Sequence, residues 1–216
     1  AGDMSYMFTN CYSLKKIDLR NFNTEWVTSF AYMFQNCSSL TELNIHNFNT
    51  EKNMDYSGMF ADCNSLTSID LSGFSTKNAN TMKQMFQNCE QITSLDLSKF
   101  STGLVTDMSY MFENCINIEK LDLTTFNTIN VTNYKNTFEG CKNLTELDIS
   151  SLNTKNVTNM NSMFKNCEKL KDLNLSNFNT EKVSDMSHMF EDCTEIGKLD
   201  LSSFNTKNVT HILNNR

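Results

Sequence analysis

The cysteines of this chain recur at one fixed interval. Each of the eight lies 26 residues after the last: Cys11, Cys37, Cys63, Cys89, Cys115, Cys141, Cys167 and Cys193. A fixed period of this length is typical of solenoids, in which each repeat stacks on its neighbours. The spacing predicts a single repeat domain over residues 1–216, with eight 26-residue coils numbered from the first cysteine. Because the chain starts and stops inside a repeat, we expect it to be a segment of a longer protein.

Each coil carries a short apolar alternation after its cysteine, whose position is counted as zero. Leu or Ile occupies positions +3, +6 and +8 in every coil, as in Ile118, Leu121 and Leu123. The pair at +6 and +8 flanks a polar residue, which is the period of a strand with one buried face. Such a short strand must pair with the next coil, so the pattern predicts one parallel sheet with one strand per coil.

A different apolar spacing precedes each cysteine. In the seventh coil it comprises Val157, Met160, Met163, Phe164 and Cys167. The positions −7, −4, −3 and 0 share one face of a helix, and a Thr or Ser at −9 would be a suitable N-cap. Asn, Asp or Gly at −1 tolerates a left-handed backbone and suits a helix end. We therefore predict one short helix per coil.

These elements predict an α/β solenoid that is curved. Helices pack about 8–10 Å apart, whereas paired strands lie about 4.8 Å apart. The strands should therefore form the concave side.

The repeats resemble a known family. The segment "MFENCINIEKLDL" and its seven counterparts look like the bacterial surface protein 26-residue repeat, which belongs with the BspA-like leucine-rich repeats. The resemblance covers essentially the whole chain. It implies a leucine-rich-repeat solenoid on a bacterial or protist cell surface, extracellular and often adhesive, but it does not transfer a ligand. The partner that we predict is a protein or glycan of a host or matrix surface.

Composition excludes several classes of function. The net charge of −7 and the pI near 5.0 argue against nucleic acid, which needs a basic face. The chain has no apolar run of transmembrane length, so we expect no direct membrane insertion in this segment. No nucleophile–base set, phosphate-binding glycine loop or CxxC motif stands out, and the three histidines are His46, His188 and His211. The sequence predicts no enzyme activity, cofactor or metal.

The cysteine column allows two interpretations. Eight cysteines could form four disulfides, and stacked coils would bring their Cα atoms close enough. Their side chains would point in parallel, however, which suits the torsion of a disulfide poorly. The column also shares its face with Met and Phe, where a free thiol behaves as a small buried hydrophobic group. The pattern favours buried free thiols.

The column at +7 is the candidate site, because it lies between two buried positions and points outward. It reads Asp18, Asn44, Asp70, Asp96, Asp122, Asp148, Asn174 and Asp200. Like charges opposite each other in a sheet are destabilising. Either these residues accept local hydrogen bonds, or the row forms a surface that faces a ligand. The predicted partner-binding residues are Asp70, Asp96, Asp122, Asp148, Ser72, Ser98 and Lys120.

An unbroken threonine column at +13, from Thr24 to Thr206, also allows two interpretations. Exposed threonine arrays can template ordered water, as in ice-binding solenoids. Here the threonine follows a turn, which favours local hydrogen bonding instead.

The function predicted from these patterns is a non-enzymatic surface binding or adhesion module that presents its acidic strand face. A rigid spacer and an intracellular partner-binding repeat remain alternatives, the latter because eight unpaired thiols suit a reducing compartment. Self-association through uncapped ends is a further expectation.

Overall fold

The computed structural model describes residues 2–210 as a solenoid of stacked coils. Two formal strands are present, β1 (Lys120–Asp122) in the fifth coil and β2 (Glu146–Asp148) in the sixth. They pair in parallel, with Leu121 opposite Leu147. Residues 2–210 contain no helix, and hence none able to cross a membrane. The solenoid is confirmed, but the regular pattern of one strand and one helix per coil is not.

Consecutive tight turns replace the predicted helix. In the fifth coil the amides of Met111, Glu113 and Cys115 each donate to the carbonyl three residues earlier, over 3.1–3.2 Å. The residues at −5 and −1 have positive φ, for example 61° at Tyr110 and 54° at Asn114. A helix needs negative φ throughout, so two left-handed residues per coil interrupt it. The expectation that position −1 is left-handed is confirmed in all eight coils.

The same segment carries the main hydrogen bonds between coils. Amides at −7, −5, −3 and −1 donate to carbonyls at −8, −6, −4 and −2 of the next coil. In the fifth coil the pairs are Met108–Asn133 (3.2 Å), Tyr110–Lys135 (2.8 Å), Phe112–Thr137 (2.9 Å) and Asn114–Glu139 (2.7 Å). We call residues −9 to −1 of each coil the turn side. Alternate amides therefore bond to the next coil in the segment where the sequence predicted a helix.

The threonine at −9 joins this ladder and is not an N-cap. The amide of Thr132 donates to the carbonyl of Thr106, the equivalent residue of the preceding coil, over 2.9 Å. Its hydroxyl donates to the same oxygen over 3.2 Å. The side chain thus strengthens a contact between coils, because there is no helix start for it to cap.

Stacked phenylalanines at −3 form the centre of the core. Neighbouring rings, from Phe8 to Phe190, have centroids 5.5–6.1 Å apart and planes within 4–17° of parallel. This spacing is well below the distance between packed helices. The reason given for curvature, a wide helical layer behind the strands, therefore does not hold for this fold.

The threonines at +13 are buried from Thr24 to Thr180, so this stretch is not an exposed array that could order water. In one junction the hydroxyl of Thr102 donates to the carbonyl of Asn127 over 3.0 Å and accepts its amide over 2.8 Å. The threonines do form hydrogen bonds at the turn, but these are not local as expected, because the partner lies in the next coil.

The cysteines are free thiols, six of them buried and Cys11 and Cys193 half-buried. Each thiol from Cys37 to Cys193 donates to the phenylalanine carbonyl at −3 of the preceding coil, as Cys115 does to Phe86 over 3.2 Å. Burial raises the pKa of Cys37 to about 11, so this thiol stays protonated at neutral pH. The disulfide alternative is therefore wrong for this fold.

Candidate partner-binding face

The exposed side chains at +5, +7 and +9 form one surface, which we call the strand face. Asp70, Asp96, Asp122 and Asp148 lie on it in successive coils, and all four are exposed. The pairing of β1 with β2 sets Asp122 directly opposite Asp148. The predicted row of carboxylates is therefore present as a surface feature.

Each aspartate in the row also holds its own turn together. The Oδ1 atoms of Asp70 and Asp96 accept the amides of Ser72 and Ser98, both over 3.0 Å. Asp122 accepts the amide of Thr124 over 2.9 Å. The local role considered from the sequence thus exists, and it uses one oxygen of each carboxylate. The partner-binding role of these residues stays a prediction.

Local hydrogen bonds keep the row ionised. The side chain and the amide of Ser72 lower the pKa of Asp70, and Ser98 does the same for Asp96. The side chain and amide of Thr124 lower the pKa of Asp122, although the neighbouring charge of Asp148 opposes the effect. At neutral pH the face therefore presents charged carboxylates in successive coils.

The strand face is most acidic in its middle coils, because the first coil contributes a net charge of +1 at these positions and the eighth contributes none. In the second to seventh coils, positions +5, +7 and +9 hold seven carboxylates and one lysine, a net charge of −6 compared with −7 for the chain. The single lysine, Lys120, has its ammonium 2.7 Å from Glu146. It is thus engaged with a neighbouring coil, and coils three and four hold acidic and small polar residues alone.

Shallow grooves run beside this row. One is lined by Leu147, Asp148, Ser150, Asp172 and Asn174, together with neighbours on β2. Others include Asp122 and Asp70. The grooves are open, so they suit an extended partner better than an enclosed small molecule.

Residues on the turn side were missed by sequence reasoning. The hydroxyl of Tyr32 donates to Gln84, two coils away, over 3.2 Å. It passes across Gly58, where a Cβ would lie 2.3 Å from the tyrosine ring. Both Tyr32 and Gly58 occupy position −5, as do Gln84, Asn136 and His188. The variety of residue types in this column is the sequence signal that could have drawn attention to it.

The described residues hold no group of three or more His, Cys, Asp or Glu side chains able to bind a metal ion. His46 lies on the strand face and His188 on the turn side, while His211 lies outside the described residues.

Solved structures similar to this one are leucine-rich-repeat proteins. The leucine-rich-repeat protein of T. pallidum is 22% identical, with a TM-score of 0.50 over 78% of this chain and 70% of that one. A leucine-rich-repeat protein from Eubacterium ventriosum is 18% identical, with a TM-score of 0.54 over 90% of this chain and 49% of that one. A leucine-rich cell surface protein from Faecalibacterium prausnitzii is 15% identical, with a TM-score of 0.36 over 91% of this chain and 76% of that one.

This chain spans about half the length of the Eubacterium protein. No curated protein sequence matches it. The structural similarity shows the fold, and it agrees with the resemblance to surface-protein repeats that the cysteine and leucine spacing indicated.

A family model matches the chain twice, over residues 2–121 and 106–215, and together the matches cover nearly all of it. The model describes a Mycoplasma protein of unknown function, DUF285. The chain belongs to this DUF285 family.

Proposed function

We propose that this chain is a non-enzymatic binding module of an extracellular cell surface, and that its strand face is the adhesive site. The partner is a protein or glycan of a host or matrix surface. The observation that carries the proposal is the net charge of −6 that the second to seventh coils place at +5, +7 and +9, on one open face. The residues proposed to contact the partner are Asp70, Asp96, Asp122, Asp148, Ser72, Ser98 and Lys120.

The chemistry of this face favours a cationic partner that reaches across several coils. A single exposed ion pair contributes only about 0–1 kcal/mol. Among the described residues, the first seven coils place no exposed large apolar side chain at +5, +7 or +9, so strong apolar anchors are lacking. Affinity would therefore come from repetition over successive coils and would weaken with salt.

The test compares the chain with a triple variant, Asp70→Lys, Asp96→Lys and Asp122→Lys. Both are assayed for saturable binding to host cells and to extracellular-matrix proteins, with circular dichroism to verify folding. A matched control carries Glu25→Lys, Glu51→Lys and Glu181→Lys, which make the same charge change at exposed positions away from the strand face. The proposal expects binding to be lost in the first variant and retained in the second.

Binding retained in the first variant would place the adhesive site on another surface. Loss in both variants to the same degree would indicate an effect of net charge rather than of this face. Absence of binding by the unmodified chain would favour the second candidate function, a rigid spacer.

The spacer alternative is supported by the ladder on the turn side. Each of the first seven coils donates amides at −5, −3 and −1 to the next coil, which joins the stack without a hinge. An intracellular partner-binding repeat is favoured by the free thiols alone. Self-association through the ends stays a prediction that sedimentation of the same sample tests.

A further inference from the structure

Side chains at −5 and −2 form a hydrogen-bonded line along the turn side that plays no part in the proposed binding face. Gln84 donates to Gln87 within the fourth coil over 2.7 Å. Gln87 then donates across the junction to Glu113 of the fifth coil. Farther along, Lys165 of the seventh coil contacts Glu191 of the eighth over 2.8 Å. Each of these steps pairs a donor with an acceptor.

At one junction along the line, two acceptors are neighbours and no donor is paired with each of them. Glu113 and Glu139 occupy position −2 in the fifth and sixth coils, and both are half-buried. The Nδ2 atom of Asn136 donates to Glu113 over 3.2 Å and also to Glu139. Two carboxylates therefore share one amide group, and no other donor stands between them in the line.

The same cluster contains an acceptor without a donor. The Oδ1 atom of Asn136 is buried and has no hydrogen-bond partner. A buried polar atom left unpaired costs free energy, since it has lost water without replacement. The cluster of Glu113, Asn136 and Glu139 thus lacks one hydrogen, and a single proton bound to a carboxylate would supply it.

We propose that Glu113, Asn136 and Glu139 form a carboxylate clamp that tightens the junction between the fifth and sixth coils when it takes up one proton. The proton comes from solvent and binds an Oε atom of Glu139. The resulting O–H donates either to the carboxylate of Glu113 or to Oδ1 of Asn136. One repulsion between like charges disappears in either case, and the buried Oδ1 of Asn136 gains a partner when the O–H donates to it.

The charged groups around Glu139 agree with this assignment. Burial is the largest influence and raises the pKa of Glu139, and the charges of Glu113 and Glu191 raise it further, while Lys165 and Lys135 oppose them. Glu191 itself is held by Lys165 and by His188, and both lower its pKa. The pKa of Glu139 is thus raised, whereas the pKa of Glu191 in the same column is lowered.

The sign of the pH dependence follows from this difference. The folded chain binds a proton at Glu139 more readily than the unfolded chain, so stability rises as the pH falls through the folded pKa. The clamp shares its junction with β1 and β2, which bear Asp122 and Asp148. Acidification would therefore stabilise the fifth and sixth coils, which carry part of the strand face.

The test measures urea unfolding at pH 7.5 and pH 5.5 for the native chain, Glu139→Gln and the matched control Glu191→Gln. Glutamine has the shape of a protonated glutamate, so Glu139→Gln should raise the urea midpoint at pH 7.5 and narrow the difference between the two pH values. Glu191→Gln should lower the midpoint, because it removes a paired charge. Glu191→Gln also removes a partner of His188, so the pH dependence is compared between the native chain and Glu139→Gln, in which that contact is kept.

A Glu139→Gln midpoint at or below that of the native chain at pH 7.5 would overturn the clamp. So would a pH dependence that survives unchanged in that variant. A carboxyl ¹³C titration of Glu139 supplies a second readout, and a midpoint at or below that of a free glutamate, about 4.3, would also contradict the assignment.

Discussion

The two long sides of this solenoid use their polar groups in opposite ways. On the turn side, alternate backbone amides cross to the next coil, and side chains such as Thr132 add to the same contacts. On the strand face, formal pairing within residues 2–210 is confined to β1 and β2, and the polar side chains point to solvent. The turn side is therefore the structural side, and the strand face keeps charged groups available.

The difference also separates two kinds of repetition. The phenylalanine column must repeat, because a missing ring leaves a void between two neighbours in a dense stack. The aspartate row repeats although its like charges repel, and each carboxylate uses one oxygen to close its own turn. Packing explains the first column fully, whereas local bonding explains only part of the second.

Deleting a ring from the turn side should have the largest effect. Phe112 lies between Phe86 and Phe138, with centroids 5.9 and 5.8 Å away. We expect Phe112→Ala to lower the free energy of unfolding by about 3–5 kcal/mol, the usual cost of deleting a buried ring. Chemical denaturation measures it, and a loss under about 1 kcal/mol would contradict the core assignment.

Removing one buried hydroxyl should have the next largest effect. Thr102→Val keeps the shape but leaves the amide and the carbonyl of Asn127 without their partner. We expect a loss of about 1–3 kcal/mol, from about 0.5–1.5 kcal/mol for each of the two hydrogen bonds that are lost. The matched change on the exposed strand face is Thr124→Val, which should stay within about 0.5 kcal/mol of the native chain. Equal losses would remove the distinction between the buried threonine between coils and the exposed threonine of the strand face.

Two buried tyrosines at position −7 allow a more direct comparison, because only one of their hydroxyl groups has a hydrogen-bond partner. The hydroxyl of Tyr56 donates to the carbonyl of Ser75 over 3.0 Å, while the buried hydroxyl of Tyr134 has no partner. We expect Tyr56→Phe to cost about 0.5–1.5 kcal/mol, the net value of one hydrogen bond. Tyr134→Phe should be neutral or stabilising. Denaturation of both variants under one condition checks the ranking.

The smallest expected effect is that of acid on the stability contributed by the strand face. The hydrogen bonds from Ser98 lower the pKa of Asp96, so its contribution to stability is present above the ordinary aspartate pKa and is lost as the pH falls through the folded value. Asp96→Asn should make the urea midpoint less sensitive to acid as the pH falls below the ordinary aspartate pKa of about 3.9. An unchanged acid sensitivity would mean that these bonds add nothing in solution.

The sequence predicted the solenoid, the buried columns and the left-handed residue at −1, because each depends on one periodic property. It did not predict the turns, because the spacing −7, −4, −3 and 0 fits both a helix and consecutive three-residue turns. A helix of about nine residues is marginal by itself, and stacked coils offer its amides carbonyls in the next coil. The backbone amides therefore bond to the next coil and not within a helix. The sequence of a single repeat does not reveal this alternative.

For the candidate site, the sequence predicted which side chains are exposed but not which side chains meet between coils. The alternation around +7 correctly predicted that Asp70, Asp96, Asp122 and Asp148 are exposed. The carboxylate clamp was missed because Glu113 and Asn136 belong to different coils, and their meeting depends on the left-handed backbone at −5.

Residue-level hydrogen exchange of backbone amides tests the contrast between the two sides most directly. The fourth coil is suited to it, because its amides at Gln84, Phe86 and Asn88 bond to the next coil, whereas its segment 94–96 forms no strand. The account predicts slow exchange at the first three and exchange faster by orders of magnitude across 94–96. Equal protection of both segments, or a helical circular dichroism signal, would contradict it.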